Sequence, residues 1–277
     1  MDKLHFGTAG IPLSTEDRTT ENGIKRAHEL GLTGMELEFV RNVNISKEKA
    51  PGVKKVADES HIKLTAHGSY FINFNASEPA KAGASRSRVL QAARILELCG
   101  GYSVCFHPAY RMGAPKDHVY NNVKKQFAKL MEEVRSHSLK VWIRPETAGK
   151  LSQFGNLEEL IKLSQEFDQV LPCIDFSHLR ACLNGKMNSY EDYSSVLEQI
   201  EKGLGKEALK NMHIHAQGIA YSEKGEKNHL SMADDPKWDY KNLMKALKEF
   251  KVCGCVVCES PVLESDAVVL KKVYDSL

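Results

Sequence analysis

Ser103-Val104-Cys105-Phe106-His107 is a short apolar run, and the stretch after it changes rhythm. From Val119 to His137 the apolar residues Val123, Phe127, Leu130, Met131 and Val134 recur at three- and four-residue steps, the signature of one helix face. A second apolar run, Lys140–Glu146, follows. Strand, amphipathic helix and strand in about this length make one βα repeat, and the rest of the chain repeats it. Apolar runs occur at Leu4–Ala9, Met35–Val40, Lys63–His67, Ser103–His107, Lys140–Glu146, Val170–Ser177, Asn211–Ala216 and Val252–Glu259. Helical patterns separate them at Asp17–Leu30, Lys47–Ser60, Ser85–Leu98, Val119–His137, Leu157–Phe167, Tyr190–Lys202, Tyr240–Phe250 and Leu263–Leu277. Eight such units close into a (β/α)8 TIM barrel. A doubly wound sheet is the alternative, but its Gly-x-Gly-x-x-Gly turn is missing after the first run.

The 277 residues fit one α/β barrel, so one domain spanning 1–277 is expected. A 42% hydrophobic and 27% charged composition is that of a globular protein, and no apolar stretch reaches the roughly 18 residues of a membrane span. The formal net charge of +2 leaves the partner open: it neither advertises a polyanion nor excludes a local basic rim. The opening Met1-Asp2-Lys3-Leu4-His5 carries no leader composition, so a cytoplasmic location is expected. Seven cysteines, mostly inside apolar runs, suit buried reduced thiols. Cys253-Gly254-Cys255-Val256-Val257-Cys258 lacks a second Cys/His pair and reads as a strand whose Cys253 and Cys255 line the barrel interior.

Ionisable residues sit at the ends of the runs. His67 ends the third, His107 the fourth, Glu146 the fifth, Asp175 and His178 the sixth, His213 lies in the seventh and Glu259 ends the eighth. From His67 to Glu259, with Asp175 for the sixth, the spacings are 40, 39, 29, 38 and 46 residues, one residue per unit. In a barrel all would converge at the C-terminal mouth. Carboxylates and imidazoles crowded there need cations between them, and a mixed nitrogen and oxygen donor set suits Zn2+, with Mn2+ or Fe2+ as substitutes.

These residues lie in motifs that resemble the endonuclease IV family of abasic-site endonucleases, within the xylose-isomerase-like barrels. The resemblance is carried by His67-Gly68-Ser69-Tyr70-Phe71-Ile72-Asn73, Phe106-His107-Pro108, Pro145-Glu146-Thr147-Ala148-Gly149, Asp175-Phe176-Ser177-His178, Met212-His213 and Glu259-Ser260-Pro261. It implies two or three zinc ions: one on His67, His107 and Glu146, a second on Glu146, Asp175, His213 and Glu259, and a third on His178. Glu146 and Glu259 are then the expected catalytic carboxylates, and Glu146 bridges two ions that activate a shared water as hydroxide. The family's remaining third-site ligands are an acidic residue and a histidine two apart. Here Gly225-Glu226-Lys227-Asn228-His229 puts Asn at the histidine position, so His229, Glu226 and His215 are the candidate replacements.

The resemblance also implies the substrate, double-stranded DNA with an abasic site, cut 5′ to the lesion to leave a 3′ hydroxyl in base excision repair. Tyr70 and Phe71 would enter the minor groove opposite the flipped nucleotide; a hydrophobic plug under the loop is the other reading of Ser69–Phe74. Arg41, Lys81, Arg86, Arg88, Arg111 and Lys116 are candidates for a phosphate-contacting rim. Glu36 and Glu38 share one strand face, and one of them is expected to pair with Arg144 below the metals. A monomer is expected. The competing reading is a metal-dependent sugar isomerase or epimerase of the same superfamily, using a single quartet of Glu146, Asp175, His213 and Glu259.

Overall fold

The computed structural model describes residues 2–277; Met1, within the expected span 1–277, lies outside them. Eight strands form one sheet, in chain order Leu4–Ala9, Gly34–Glu38, Lys63–His67, Ser103–Phe106, Trp142–Pro145, Cys173–Asp175, Met212–His215 and Gly254–Cys258. Every ladder between neighbours is parallel, and the first strand pairs with both the second and the eighth. Between the fifth and sixth strands, parallel bridges at Ile143–Val170 and Glu146–Cys173 close the ring. The expected (β/α)8 TIM barrel is therefore the observed one.

The helices form where their apolar periodicity predicts. Lys116–Ser136 buries Val119, Val123, Phe127, Leu130, Met131 and Val134 on one face, the spacing that lets a helix lie on a sheet. Pro79–Leu98 starts six residues ahead of the expected Ser85, because Pro79 in the first turn is preset for a helix and needs no amide partner. Asn156 with Glu159 and Ser189 with Asp192 make reciprocal capping boxes that fix where Leu157–Gln165 and Tyr190–Leu204 begin.

Two departures shape the mouth. The sixth strand stops at Asp175 rather than Ser177, since the Asp175 carboxylate accepts the His178 amide at 2.7 Å and caps a short helix, Phe176–Cys182. After the seventh strand the chain adds an antiparallel hairpin, Gly218–Ser222 with Gly225–Leu230, which the strand pattern had not indicated. Among the described residues no helix is long and apolar enough to cross a membrane.

Candidate metal centre

Glu146 follows the fifth strand, fully buried, and each of its carboxylate oxygens faces a different pair of imidazoles. Oε2 lies 3.1 Å from His67 Nε2 and 3.5 Å from His107 Nε2. Oε1 lies 3.1 Å from His215 Nδ1 and 3.4 Å from His178 Nδ1. Burial alone would raise the Glu146 carboxyl, but the imidazoles of His107 and His215 and the hydrogen bonds around it hold it well below the usual carboxylate range. The same crowding acts the other way on its neighbours. His178, though buried, is pushed up to about 10 by Asp175, Glu146 and Glu226. Burial raises Asp175 to about 6 and lowers His107 to about 4.

The seventh strand delivers His215 to the mouth, not His213. His213 and His215 share the inward face of that strand, but His215 is one layer nearer its C-terminal end, paired in register with Asp175. Donor atoms of Glu146, Asp175, His215 and Glu259 lie within 4.8 Å of one another. His215 Nδ1 is 3.3 Å from Glu259 Oε2. His213 sits deeper, its Nε2 2.8 Å from Glu36 Oε2 and its Nδ1 2.9 Å from Ser103 Oγ. The expected membership of His213 in the mouth quartet is thus corrected: the Met-His motif marked the right strand, and the parity of two equivalent inward positions hid which histidine reaches the rim.

The hairpin brings two of the candidate replacements to His178. Glu226 Oε2 is 3.6 Å from His178 Nε2, Glu226 Oε1 is 3.6 Å from His229 Nε2, and donors of Asp175, His178 and His229 gather within 4.8 Å. A bulge makes this possible. Ala220 pairs with Asn228 but Tyr221 pairs with Glu226, so Lys227 is the extra residue, and Glu226 and His229, three apart, come to the same face while exposed Asn228 turns away. Gly149 leaves room for the hairpin: a Cβ there would stand 2.6 Å from Glu226 Oε2 and 2.7 Å from His178 Cδ2.

The site includes one group that the sequence reading passed over, Gln217, and one whose partner it misjudged, Glu36. Gln217, buried just past the seventh strand, donates to Asp175 Oδ2 at 2.8 Å and to Glu259 Oε2 at 3.4 Å. Glu36 touches both histidines of the seventh strand, with Oε1 3.0 Å from His215 Nε2. That places the carboxylate where it orients the His215 ring from behind. Arg144 pairs with neither Glu36 nor Glu38, contrary to expectation. Its guanidinium donates to Ser103 Oγ, Pro172 O and both oxygens of Asn211, below the carboxylates. Burial and the neighbouring Glu36 push the Glu38 carboxyl up to about 8.

At the rim, the loop after the third strand divides its apolar residues. Ile72 and Phe74 are buried, whereas Tyr70 is 61% and Phe71 63% exposed, so only the first two plug the barrel. The Arg88 guanidinium stands 5.9 Å from the Phe71 ring centre. Several expected rim cations have carboxylate partners: Lys81 pairs with Glu78, Arg86 with Glu133 and Arg111 with Glu159.

The buried His/Glu/Asp cluster can hold metal ions. Its donors are imidazole nitrogens and carboxylate oxygens at coordination spacing, and His107 Nδ1 and Gln217 Oε1 are buried there without a hydrogen-bond partner. A family model described as a xylose isomerase-like TIM barrel matches residues 24–272. The chain belongs to that family. A relative of this xylose isomerase-like barrel, the uncharacterized protein MJ0133 of Methanocaldococcus jannaschii, is 41% identical over 274 residues, covering 99% of this chain and 98% of that protein. A probable endonuclease 4 of Oceanobacillus iheyensis is 30% identical over 161 residues, 55% of this chain and 51% of the relative. Among solved structures, endonuclease IV from Thermus thermophilus superposes with a TM-score of 0.72 at 19% identity, covering 97% of this chain and 98% of that one. A D-tagatose 3-epimerase-like protein superposes with a TM-score of 0.74 at 15% identity, covering 97% and 96%. At those identities the two structures share the barrel with this chain, and the barrel alone.

Proposed function

We propose that this xylose isomerase-like barrel is a zinc-dependent apurinic/apyrimidinic endonuclease that hydrolyses the DNA phosphodiester 5′ to an abasic site and leaves a 3′ hydroxyl. The observation that carries the reading is Glu146, whose two oxygens serve two separate imidazole pairs. A carboxylate so placed would serve two ions, and a sugar epimerase with one divalent ion needs no second set of imidazoles on the far oxygen. The third group, Asp175, His178 and His229 with Glu226 alongside, adds to the same side of the balance. The relative named probable endonuclease 4 supports it from sequence.

The donors fit zinc, since imidazole and carboxylate are its ordinary ligands. His67, His107 and Glu146 would hold one ion, Glu146, Asp175, His215 and Glu259 a second, and His178, Glu226 and His229 a third. When bound, the ions supply Lewis-acid charge and lower the pKa of water. The chain's own residues do the rest. Gln217 orients the Asp175 and Glu259 carboxylates through its amide, and Glu36 fixes the ring of His215 by facing its Nε2. Buried walls around Glu146 keep bulk water from screening these charges. Tyr70 and Phe71 offer two exposed rings beside the mouth for the gap that a flipped-out abasic nucleotide leaves in the stack.

The test is incubation of the purified, zinc-replete protein with a duplex carrying one abasic site, beside an undamaged duplex and a panel of ketoses. Nicking at the lesion with a 3′ hydroxyl is the expected result. Ketose epimerisation without nicking would replace the nuclease reading with the epimerase one.

A further inference from the structure

Beneath the mouth the barrel interior holds a cluster of donors of which the nuclease reading uses only His215. The sulfur atoms of Cys105 and Cys173 and one ring nitrogen each of His213 and His215 lie within 4.8 Å of one another, and all four residues are buried. Cys105 comes from the fourth strand, Cys173 from the sixth and His213 from the seventh, with Cys173 and His213 in register. Glu36, from the second strand, reaches the same point. Its Oε2 is 2.8 Å from His213 Nε2 and 3.7 Å from Cys105 Sγ.

Hydrogen bonding leaves this cluster incomplete. His213 Nε2 has no hydrogen-bond partner despite its closeness to Glu36, and Glu36 Oε1 has none although His215 Nε2 is 3.0 Å away. Both side chains are fully buried. Buried atoms in short contact but out of hydrogen-bond alignment can be drawn onto a common centre. The other ring nitrogen of His213 is already engaged: Nδ1 is 2.9 Å from Ser103 Oγ, which accepts the Arg144 Nε–H. Such an outer contact sets a histidine's ring angle and leaves Nε2 to coordinate. The spacing fits as well. A tetrahedral zinc ion with Zn–S of about 2.3 Å and Zn–O of about 2.0–2.2 Å holds sulfur and oxygen ligands about 3.6 Å apart, and Cys105 Sγ and Glu36 Oε2 stand at 3.7 Å.

We propose that Cys105, Cys173, His213 and Glu36 bind a zinc ion inside the barrel, separate from the mouth cluster. His215 stays with the mouth. A neutral imidazole has one lone pair, so with Nδ1 turned to Glu146 and Glu259 that lone pair belongs to the mouth, and its Nε2 faces Glu36 Oε1 at 3.0 Å. Glu36 thereby ties the buried ion to a ligand of the mouth. Binding turns two thiols into thiolates and releases two protons to solvent. Two thiolates and one carboxylate around a divalent ion leave one negative charge, and the buried Arg144 guanidinium, bonded to Ser103 and to the neutral oxygens of Pro172 and Asn211, is the nearby cation that offsets it.

The mouth sets assigned above are nitrogen and oxygen only; Cys105 Sγ also lies within 4.8 Å of His67 and Glu146 donors, so the sulfur of Cys173 is the distinguishing signature, and it is read independently of nicking. X-ray absorption at the zinc edge of the replete full-length protein is expected to show sulfur scatterers as well as nitrogen and oxygen. Cobalt reconstitution is expected to give a thiolate-to-cobalt charge-transfer band that C173S and C105S lose, with one metal equivalent per chain lost alongside. Zinc bound in the wild type without sulfur scattering overturns the proposal. So does a band kept at wild-type intensity in either variant, which would assign the sulfur to another cysteine. Should one variant not fold, the wild-type absorption spectrum and the other variant decide the question.

Discussion

His215 Nδ1 lies 3.1 Å from Glu146 Oε1, on the side of that carboxylate away from His67 and His107. In the proposed reading this contact makes His215 the seventh strand's donor to the second ion. Replacing it, as His215→Asn, should lower the abasic-site nicking rate by more than about 100-fold, because outer partners of metal ligands are already worth about 10–100-fold. Metal content measured on the same preparation should fall by one equivalent. A nicking rate equal to wild type would return the ligand role to His213.

Glu146→Gln keeps the shape of the bridge and removes its charge. Burial of this carboxylate is offset by the four imidazoles around it, and a carboxamide cannot accept from both pairs as an anion does. Cleavage should drop to background while affinity for an abasic duplex, measured by fluorescence anisotropy, stays within a few fold. Near-normal cleavage would remove Glu146 from the centre of the mechanism.

Tyr70 and Phe71 pose the opposite case. Both are more than half exposed, so Tyr70→Ala and Phe71→Ala should leave the melting temperature essentially unchanged. Stacking on an aromatic ring is worth about 1–3 kcal/mol per base. Each variant should therefore bind abasic duplex about 5- to 150-fold more weakly, with undamaged duplex less affected. Unchanged affinity would make the exposed loop irrelevant to DNA.

The barrel was legible because its signal is repetitive: eight apolar runs separated by helices with three- and four-residue periodicity admit few other closures. Most of the mouth was legible for a related reason, since strand ends in a barrel share one destination. What stayed hidden depended on parity and on loops. His213 and His215 are both inward, and only the register with Asp175 tells which is at the rim. The bulge at Lys227, which swaps His229 for Asn228, leaves no mark in the polar run Glu226-Lys227-Asn228-His229. Glu36 was seen as inward, but its partner was misjudged because Arg144 finds neutral oxygens while two histidines take the carboxylate.

A last expectation concerns stability rather than catalysis. Glu264, at the start of the final helix, accepts the backbone amides of Leu13 and Ser14, both at 2.8 Å, and so ties the loop after the first strand to the helix that closes the barrel. Partial burial would raise this carboxyl, but the two amide donors lower it below its ordinary value. A carboxyl depressed in the folded state contributes stability at pH values above its unfolded pKa, and that contribution is lost as pH falls through the folded pKa. Glu264→Gln, which keeps one acceptor oxygen and no charge, should cost roughly 1 kcal/mol at pH 7. Because wild-type Glu264 also loses its charge in acid, the gap in urea midpoint between the two proteins should narrow as pH drops from 5 toward 3. A gap that stays constant across that range would mean that the anion's bonds to Leu13 and Ser14 contribute nothing beyond packing.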